Sequence, residues 1–585
     1  MLDRDLVPSP LEQPGRRRVE IRPPGPPPRH PRLRVIRAFG GYLLTNLRLR
    51  LSGTLDEENR AVRLRQVFEE LGGLWVKVGQ LVSLRTDIFS EPVCRELSRL
   101  QHRAIGFPFE EVERILRQEL GDDLDAVFTA FEREPLAAAS VSQVHVARLR
   151  ATRAVVAVKV RRPAAEIAFG RDLQFLKWLV RVLNVLAPHV HLPEALWELE
   201  QMVKEELDFR FEAANTRRMR RSLREHDIHV PNVYRDWCTR NVLVTEFVPG
   251  VLMSDFIRLM QEDPAAARRW CLENDVQPRR VGTRLFRSIL RQLLEDNLFH
   301  ADIHPGNIIL LRDSHVALID FGTIGTCEKT FLATYKASLR AMAEKDFSKA
   351  ADMTLQFAIS PPSISDIGDL KRDLVRCFRE WEAVSHLDDV GYHNRSLGAA
   401  GMASGQVMAR YKVQLSWQFM RISRTWGTLD SSLSLLLPDA NYINLFNGYF
   451  RDAARRQRTP RRVLANAVET VESLAATVSE YRTVLEPIVF GQAIYRRTFM
   501  SGSMRFARVA GILFRWLRNG AILALLFGGA MYLQLLHNVA DHEIIRTMTN
   551  NFEHLDHGDW LMTFGLILFV ALVLHRLVRG IIPRS

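Results

Sequence analysis

The residues best suited to chemistry lie in a short stretch between positions 300 and 322. Asp302 and Asn307 are five positions apart, and Asp320 begins an Asp-Phe-Gly triplet a little further on. A carboxylate such as that of Asp302 can orient a nucleophile, while the amide oxygen of Asn307 and the carboxylate of Asp320 are hard ligands that suit Mg²⁺. The spacing therefore predicts metal-assisted phosphoryl transfer, with Asp302 as the catalytic residue and Asn307 and Asp320 as metal ligands.

Two upstream residues extend this set. Lys159 lies within an apolar, β-branched run, where a lysine either guards a sheet edge or holds nucleotide phosphates. Glu212 shares one face of a helix predicted over 194–217 with Asp208 and Asn215. Because like charges at this spacing destabilise a helix unless a cation meets them, Lys159 is a natural partner. We therefore predict a Lys159–Glu212 ion pair and assign both residues to catalysis.

The order of these features is that of a protein kinase. A strand lysine, a helix glutamate, an Asp-x₄-Asn loop and an Asp-Phe-Gly triplet follow one another along the chain. A lone Asp-Phe-Gly is common by chance, whereas the whole set in this order is not. The sequence therefore predicts a cleft that binds ATP or ADP together with Mg²⁺.

The elements that must position these residues are strands followed by helices. Strands are predicted at 141–149 and 154–160, the second of which carries Lys159. Strand 242–244 leads into residues 245–250, which occupy the place of a kinase hinge; that assignment rests on position alone. Later segments, 417–429 and 481–499, show the apolar spacing of helices that belong to a core.

Composition narrows the class of partner. The chain has 585 residues, a net charge of +13 and five scattered cysteines without a CxxC pair. The cysteines argue against a zinc site or a disulfide framework and fit a reducing compartment. The positive charge predicts a polyanionic partner, and without a nucleic-acid recognition motif an anionic membrane lipid is simpler than nucleic acid.

The N-terminal region is predicted to differ from the rest. Residues 1–32 are basic and rich in proline, and a disordered arm is expected there. Residues 33–51 read as an amphipathic helix with arginines beside an apolar side. Such a helix lies on an anionic membrane or packs on the main domain, and the pattern leaves both alternatives open.

The C-terminal region contains two long apolar runs. They lie within 519–578 and predict a transmembrane helical hairpin, with a pair of buried soluble helices as the alternative. Residues 541–559 between them hold five acids and one arginine, whereas arginines flank the runs on the outside. By the positive-inside rule, we expect a multi-pass protein of the inner (cytoplasmic) membrane, with the kinase-like domain and the C-terminus in the cytoplasm.

Three motifs resemble those of the UbiB family of atypical, protein-kinase-like proteins. Lys77-Val78-Gly79-Gln80 matches its K-x-G-Q signature, Glu206-Leu207-Asp208 its E-x-D signature, and Ala137-Ala138-Ala139-Ser140 its Ala-rich loop. The resemblance implies that the K-x-G-Q helix folds over the site where a kinase would bind a peptide. It also implies that Lys77 pairs with Glu206. The residues of this family-specific gate are Lys77, Gly79, Gln80, Glu206 and Asp208.

The resemblance and the hinge position together predict the nucleotide contacts. The Ala-rich loop stands where ordinary kinases have a Gly-rich phosphate loop. Alanine restricts the backbone more than glycine does, so a less mobile nucleotide pose is expected. The predicted contacts are Leu136, Ala137, Ala138, Ala139, Ser140, Val141, Ser142, Gln143, Val144, Lys159, Glu246 and Val248.

The predicted fold class is α+β: a two-lobed protein-kinase-like fold with a helical N-terminal extension and a C-terminal transmembrane helical hairpin. The predicted regions are an arm (1–32), an extension with the K-x-G-Q motif (33–130), a small lobe (131–250), a large helical lobe (251–500) and the hairpin (519–578).

The resemblance implies a membrane-bound kinase or ATPase that supports the biosynthesis of ubiquinone or another isoprenoid quinone lipid. Protein phosphorylation in trans and a nucleotide-sensing scaffold without turnover are the alternatives. The implied partners are anionic membrane lipid, quinone precursors and quinone-biosynthesis enzymes, with no nucleic acid. The oligomeric state is left open, with a homodimer as one alternative.

Overall fold

The computed structural model describes residues 19–21, 31–100, 106–139, 141–163, 165–186, 192–359, 366–387 and 390–457. These residues belong to one compact unit, which ends at Gln457. Within it, the chain builds a helical extension, a small lobe around an antiparallel sheet, and a large helical lobe.

Four helices form the extension. They are α1 (Pro31–Leu51), α2 (Glu57–Leu71), α3 (Leu74–Ser83) and α4 (Glu91–Ser98). Asp56 caps α2 by accepting a hydrogen bond from the Asn59 amide, and the helix ends at Gly72, which has a φ of 64°. The inner face of α1 packs on α2 and α3, with the Phe39 ring 5.7 Å from both Phe68 and Trp75.

The small lobe continues with two helices and four strands. They are α5 (Phe109–Leu120), α6 (Leu124–Val127), β1 (Phe128–Phe131), β2 (Ala137–Ala138), β3 (Ser142–Leu149) and β4 (Val155–Arg161). Three further helices and a strand follow: α7 (Ala165–Leu186), α8 (Leu192–Glu206), α9 (Phe209–Ser222) and β5 (Val242–Glu246). The strands pair antiparallel in the order β1-β3-β4-β5, and β2 adds to β3. The strands predicted around Lys159 are therefore confirmed.

The sheet register decides which way Lys159 points. Val156, Val158 and Val160 on β4 are fully buried in the core of the small lobe. Since successive side chains of a strand point to opposite faces, Lys159 leaves from the face away from that core. Its neighbours across the sheet are Val144 on β3 and Leu243 on β5. Lys159 can therefore lie in an apolar strand without burying its charge in the core, because its side chain points into the cleft.

The helix predicted over 194–217 is in fact two helices. α8 ends at Glu206, and Asp208 caps α9 by accepting a hydrogen bond from the amide of Arg210. Asp208 therefore does not share a helical face with Glu212 and Asn215, as the periodicity predicted. A short polar residue at this position satisfies the free amides of the new helix, which favours the break.

The large lobe starts at β6 (Val251–Leu252). Three helices follow, α10 (Met253–Glu262), α11 (Pro264–Glu273) and α12 (Pro278–Leu294), and then four short strands, β7 (Phe299–His300), β8 (Ile308–Leu310), β9 (Val316–Leu318) and β10 (Ile324–Gly325). β6, β8 and β9 form one small sheet, and β7 pairs with β10. The segment from 300 to 322 thus consists of short strands of these two sheets and the loops between them.

Seven helices complete the described chain. They are α13 (Lys329–Ala343), α14 (Phe347–Leu355), α15 (Ile367–Val384), α16 (Tyr392–Arg395), α17 (Leu397–Arg410), α18 (Trp417–Leu436) and α19 (Tyr442–Gln457). α18 confirms the helix predicted at 417–429, and Met420, Ile422 and Trp426 bury its inner face in the large core. The helix predicted at 481–499 lies outside the described residues.

One part of the predicted fold class is corrected. Among the described residues, no helix is both long and apolar enough to cross a membrane. Those of sufficient length carry charges: α7 includes Glu166, Arg171, Asp172, Lys177 and Arg181, and a span needs about 20 mostly apolar residues. The apolar runs within 519–578 lie outside the described residues. The kinase-like mixture of helices and sheet agrees with the prediction, whereas the transmembrane hairpin and the multi-pass inner-membrane localisation are withdrawn.

Candidate active site

Three charged side chains meet in the cleft between β4, α9 and the Asp-Phe-Gly segment. The Lys159 ammonium lies 2.9 Å from both carboxylate oxygens of Glu212 and 3.0 Å from Asp320 Oδ2. The predicted ion pair between Lys159 and Glu212 is therefore present. The structure also brings Asp320, which is far away in sequence, to the same ammonium.

Burial and charge act in opposite directions on this cluster. Burial alone would lower the pKa of Lys159, but the carboxylates of Asp320 and Glu212 outweigh it and raise the pKa. Burial raises the pKa of Glu212 to about 7 in spite of the ammonium beside it. Burial also opposes ionisation of Asp320, yet Lys159 lowers the pKa of its carboxyl. The ammonium and the Asp320 carboxylate therefore remain charged at neutral pH.

The Asp302–Asn307 loop is fixed by its own polar groups. The Asn307 side-chain amide donates to the Asp302 carbonyl at 3.0 Å, and the Asn307 carbonyl accepts from the Ile319 amide at 2.9 Å. The first bond uses the amide nitrogen of Asn307 and leaves its side-chain oxygen for another ligand. The second places this loop directly beside Asp320. The two predicted metal ligands are thus neighbours in space.

Asp302 is bound by an arginine that the sequence analysis missed. Arg424, on α18, donates to Asp302 Oδ2 at 2.8 Å. Burial would raise the pKa of the Asp302 carboxyl, but the charge of Arg424, followed by that of His304 and Lys77, lowers it. No short motif surrounds Arg424. Its only sequence signal is that it is one of two arginines, with Arg421, on the apolar-spaced helix α18.

The backbone at Asp320 has an unusual conformation that neighbouring hydrogen bonds stabilise. Asp320 has a φ of 58°, a left-handed conformation that aspartate tolerates better than most residues. Its Oδ1 accepts from the Gly322 amide at 3.2 Å, and the Asn215 side chain on α9 donates to the Phe321 carbonyl at 3.2 Å. The helix that supplies Glu212 therefore also holds the Asp-Phe-Gly segment.

His300 supports the same loop from inside. It is fully buried, its Nδ1 accepts from the Asp302 amide at 3.2 Å, and burial lowers its pKa to about 4. The ring is therefore neutral at physiological pH. A neutral imidazole can accept this bond, which fixes the backbone of the loop at Asp302.

The predicted Ala-rich loop is partly a strand. Ala137 and Ala138 form β2 and pair with Val144 and Gln143 of β3, while the Ala139 amide donates to the Ser142 carbonyl. Ser140 lies outside the described residues. Pairing with β3 therefore limits the backbone freedom of Ala137 and Ala138, while the less mobile nucleotide pose stays a prediction.

Several residues predicted to contact the nucleotide have side chains that are buried or bonded to other parts of the protein. Gln143 is fully buried; its side chain accepts from the Phe107 amide at 2.8 Å and lies 3.0 Å from His145 Nε2. Val141 and Ser142 are also buried, whereas Leu136 and Val144 are half-buried. Contacts from this hairpin to a nucleotide would thus come mainly from the backbone and from Leu136, Ala138 and Val144.

The hinge position is occupied by a polar network. The Glu246 carboxylate accepts from the Asn232 amide at 2.9 Å and lies 3.1 Å from His229 Nε2. The backbone of His229 in turn pairs with β9 in the large lobe. Val248 is buried against Ile309. The Glu246 side chain therefore ties the two lobes together.

Of the gate residues, Lys77 and Glu206 form the ion pair that the resemblance implied. Lys77 on α3 pairs with Glu206 at the end of α8, 3.1 Å apart, and Asp208 caps α9. The Gln80 side chain donates to the Leu100 carbonyl at 3.2 Å. A Cβ on Gly79 would come within 2.3 Å of Leu100 Cδ1, so only glycine allows α3 to pack this closely on its neighbours. The charge of Lys77, after those of Arg424 and His304, also contributes to the lowered pKa of Asp302.

The donor set fits Mg²⁺ bound together with a nucleotide. Asn307 and Asp320 supply two oxygen ligands, and Mg²⁺ usually takes one or two protein ligands with the rest from phosphates and water. The described residues contain no group of three or more histidine, cysteine or acidic side chains that would hold a metal without a nucleotide. Lys159, Glu212 and Asp320 are thus in direct contact, and the loop of Asp302 and Asn307 is hydrogen-bonded to the residue before Asp320.

Comparison with known proteins gives the family. Residues 99–354 match the ABC1 atypical kinase-like domain. The chain is 28% identical over 441 residues to a "Probable protein kinase UbiB" of Azotobacter vinelandii, covering 74% of this chain and 78% of that protein. A protein of the same name from Tolumonas auensis is 31% identical over 320 residues, covering 53% and 56% of the two chains.

A solved structure, the complex of Rv3197 with erythromycin from Mycobacterium tuberculosis, aligns at 25% identity with a TM-score of 0.38. It covers 65% of this chain and 96% of the other, a likeness too weak for comparing folds. The family match and the named relatives agree with the K-x-G-Q and E-x-D motifs, which the Lys77–Glu206 ion pair joins. The chain belongs to the UbiB family of atypical, protein-kinase-like proteins.

Proposed function

We propose that the protein binds ATP or ADP with Mg²⁺ in the cleft between its lobes and acts as an atypical kinase or ATPase. The observation that carries this proposal is the convergence of Lys159, Glu212 and Asp320 within contacts of 2.9 to 3.0 Å, directly beside the Asn307 loop. These are the groups that phosphoryl transfer requires, in the roles that a kinase gives them.

Each residue has a defined part in this proposal. Lys159 binds phosphate oxygens and is oriented by Glu212, while Asn307 and Asp320 hold Mg²⁺, which neutralises phosphate charge when it is bound. Asp302 orients the attacking hydroxyl or water and is positioned by Arg424. Because Lys159 now contacts Asp320, nucleotide binding must redistribute these contacts between the phosphates and the metal.

The proposed biological role rests on the similarity to UbiB proteins. We propose that the activity supports the biosynthesis of ubiquinone or another isoprenoid quinone lipid. The partners proposed are quinone precursors, quinone-biosynthesis enzymes and anionic lipid, and no nucleic acid.

A small-molecule or ATPase reaction is favoured over phosphorylation of proteins. Lys77 is held by Glu206 at 3.1 Å, and its charge contributes to the lowered pKa of Asp302. The resemblance implies that α3, the helix that carries Lys77, covers the site where a kinase would receive a peptide, and this part of the proposal rests on that resemblance. Phosphorylation in trans remains the second candidate, because the relatives bear the name "probable protein kinase".

The test of the proposal is calorimetric nucleotide binding by the full chain. Asp320→Asn should weaken Mg²⁺-dependent ATP or ADP binding by about tenfold or more, about 1.4 kcal/mol. Asp313→Asn is a matched control, because Asp313 has nearly the same backbone conformation, with a φ of 57° against 58°, and lies outside the cleft. Equal affinity of the Asp320→Asn variant and the wild type in Mg²⁺ would refute the site.

A second measurement separates the two candidates. Labelled phosphate transfer to a panel of proteins is compared with ATP hydrolysis by the same wild-type preparation. Hydrolysis without transfer to the panel supports the favoured reaction. Robust transfer to a protein with no hydrolysis would replace it with the second candidate.

A further inference from the structure

Helix α1 turns an apolar face to the solvent. Six apolar residues, successively three, seven, one, three and four positions apart, fall on one side of this helix. Their side chains are between 54% and 80% exposed, and they are Leu33, Ile36, Leu43, Leu44, Leu47 and Leu51. A contiguous exposed set of this kind marks a contact surface, since isolated apolar residues are normal but aligned ones are not.

The opposite face of α1 is firmly packed. Val35 is buried, and Phe39 lies edge-on to Phe68 and against Trp75 in the core of the extension. The helix thus cannot turn its leucines inwards without losing these contacts. This observation decides between the two alternatives that the sequence left open: α1 packs on the extension with one face and presents the other.

Charge indicates what the apolar face meets. α1 contains no acidic residue, and Arg34, Arg37, Arg48 and Arg50 lie along it. A second copy of the chain docked by the same face would bring these arginines against one another. An anionic partner removes that repulsion, and basic residues beside an apolar face are typical of helices that lie in a membrane interface.

A groove beside this face is suited to a phosphate group. It lies between α1 and α2, has a volume of about 740 Å³, and is lined on its polar side by Arg34, Arg37, Tyr42, Thr45, Arg63 and Gln66. Glu70 is the acid among its lining residues. The Arg63 guanidinium is oriented by Asn46 Oδ1 at 2.8 Å. Three arginines against one glutamate leave the groove positively charged.

We propose that α1 is an interfacial docking surface for an anionic bilayer, and that the adjacent groove binds a phosphate headgroup of one of its lipids. The leucines enter the acyl boundary while Arg37 and Arg63 bind the phosphate. The contact is made from one side of the bilayer and needs no span. It gives the lipid partner of the proposed function a location, but it does not depend on phosphoryl transfer.

The experiment is flotation of the full chain with vesicles, without nucleotide. Vesicles of phosphatidylcholine with phosphatidylglycerol are compared with phosphatidylcholine alone, and Leu43→Glu/Leu47→Glu should bind the anionic vesicles about tenfold or more weakly. Arg37→Glu/Arg63→Glu should lose the preference for anionic lipid. Leu272→Glu and Arg268→Glu/Arg269→Glu on α11 are controls, since Leu272 is 83% exposed and all three residues lie outside the extension.

A local readout identifies the surface. Amide hydrogen exchange should slow in residues 33–51 when anionic vesicles are added, and should not change in residues 264–273. Equal binding by the leucine variant and by the Leu272→Glu control would overturn the proposal. So would a change in oligomeric state of the leucine variant with unchanged vesicle binding, which would make the face a contact between copies. Loss of nucleotide binding in the Asp320→Asn variant has no bearing on these outcomes.

Discussion

Two lysine–glutamate pairs lie on either side of the break between α8 and α9. They consist of the same two charged groups but differ in burial and in the charges beside them. Lys77 pairs with Glu206 at the end of α8, and Lys159 pairs with Glu212 in the first turn of α9. The charged atoms are 3.1 Å apart in the first pair and 2.9 Å apart in the second. The chain therefore places the same two groups, six residues apart on the acidic side, in two different environments.

The difference lies in the neighbours. Lys159 has a second anionic partner, Asp320, and the Glu212 side chain is 7% exposed, whereas that of Glu206 is 23% exposed. Burial therefore raises the pKa of Glu212 to about 7. An ion pair in such a site is costly in isolation and persists because several charges share it. We call Lys159–Glu212 the inner pair and Lys77–Glu206 the outer pair. We propose that the inner pair prepares a phosphate site, while the outer pair fixes the position of α3.

The largest effect should come from removing one charge from each pair in turn. Glu212→Gln leaves Lys159 paired with Asp320 alone, so the ammonium moves towards the metal ligand and nucleotide affinity falls. We expect a loss of about tenfold or more, equivalent to about 1.4 kcal/mol. Glu206→Gln should change nucleotide affinity much less, because Glu206 pairs with Lys77, whereas Lys159 pairs with Glu212 and Asp320. Calorimetry with ATP and Mg²⁺ on both variants provides the measurement.

Phosphate transfer by the same variants is a second measurement that tests whether the two pairs have separate roles. Glu206→Gln releases Lys77, so transfer of labelled phosphate to proteins or to the chain itself should rise. If Glu206→Gln weakens nucleotide binding as strongly as Glu212→Gln, the two pairs form one functional unit and the distinction between them is lost.

The inner pair could be predicted from the sequence because the motifs of the site follow one another in a fixed order along the chain. A strand lysine, a helix glutamate, the Asp302–Asn307 spacing and Asp-Phe-Gly predicted the cluster and the small-lobe sheet. The break at Asp208 was missed because helical periodicity continues through it, and only the capping bond to the Arg210 amide reveals it. The Lys77–Glu206 pair was reached through resemblance, since no local pattern joins residues so far apart.

The outer pair depends on how closely α3 packs, which Gly79→Ala should test. A Cβ at Gly79 would lie 2.3 Å from Leu100 Cδ1 and 3.2 Å from Phe68, both in a packed core. Overpacking costs about 1 to 3 kcal/mol, offset by roughly 1 kcal/mol of helix propensity. We expect a net loss of about 1 kcal/mol in the free energy of unfolding, measured by chemical denaturation.

Gly170→Ala is the matched control for that change. Gly170 lies within α7, and a Cβ there would meet no atom within 4 Å. Alanine should therefore stabilise the protein by up to about 1 kcal/mol through helix propensity alone. Destabilisation by both substitutions to the same extent would show that close packing at Gly79 is not what fixes α3.

Arg424 could not be predicted, since its role depends on a contact between α18 and a loop 122 positions earlier. The same limit applies to the exposed face of α1, where the pattern predicted an amphipathic helix but not which face would be covered. Long-range packing decides such contacts, and sequence periodicity does not record it. The tertiary environment of Asp302 thus had to come from the structure.

The smallest expected effect concerns the pH dependence that Arg424 imposes on Asp302. Arg424 lowers the pKa of the Asp302 carboxyl below its usual 3.8, so this interaction stabilises the fold above that pH and is lost as pH falls through the lower folded value. Arg424→Gln removes the cation and should raise the pKa of Asp302. The acid limb of the ATP-turnover profile should therefore move to higher pH, with a smaller change in turnover at neutral pH. Arg421→Gln is the control, because Arg421 lies one turn away on α18 and pairs with Glu198 at 2.9 Å instead. An acid limb that shifts equally in both variants would mean that the general charge of α18, rather than the contact at Asp302, sets the profile.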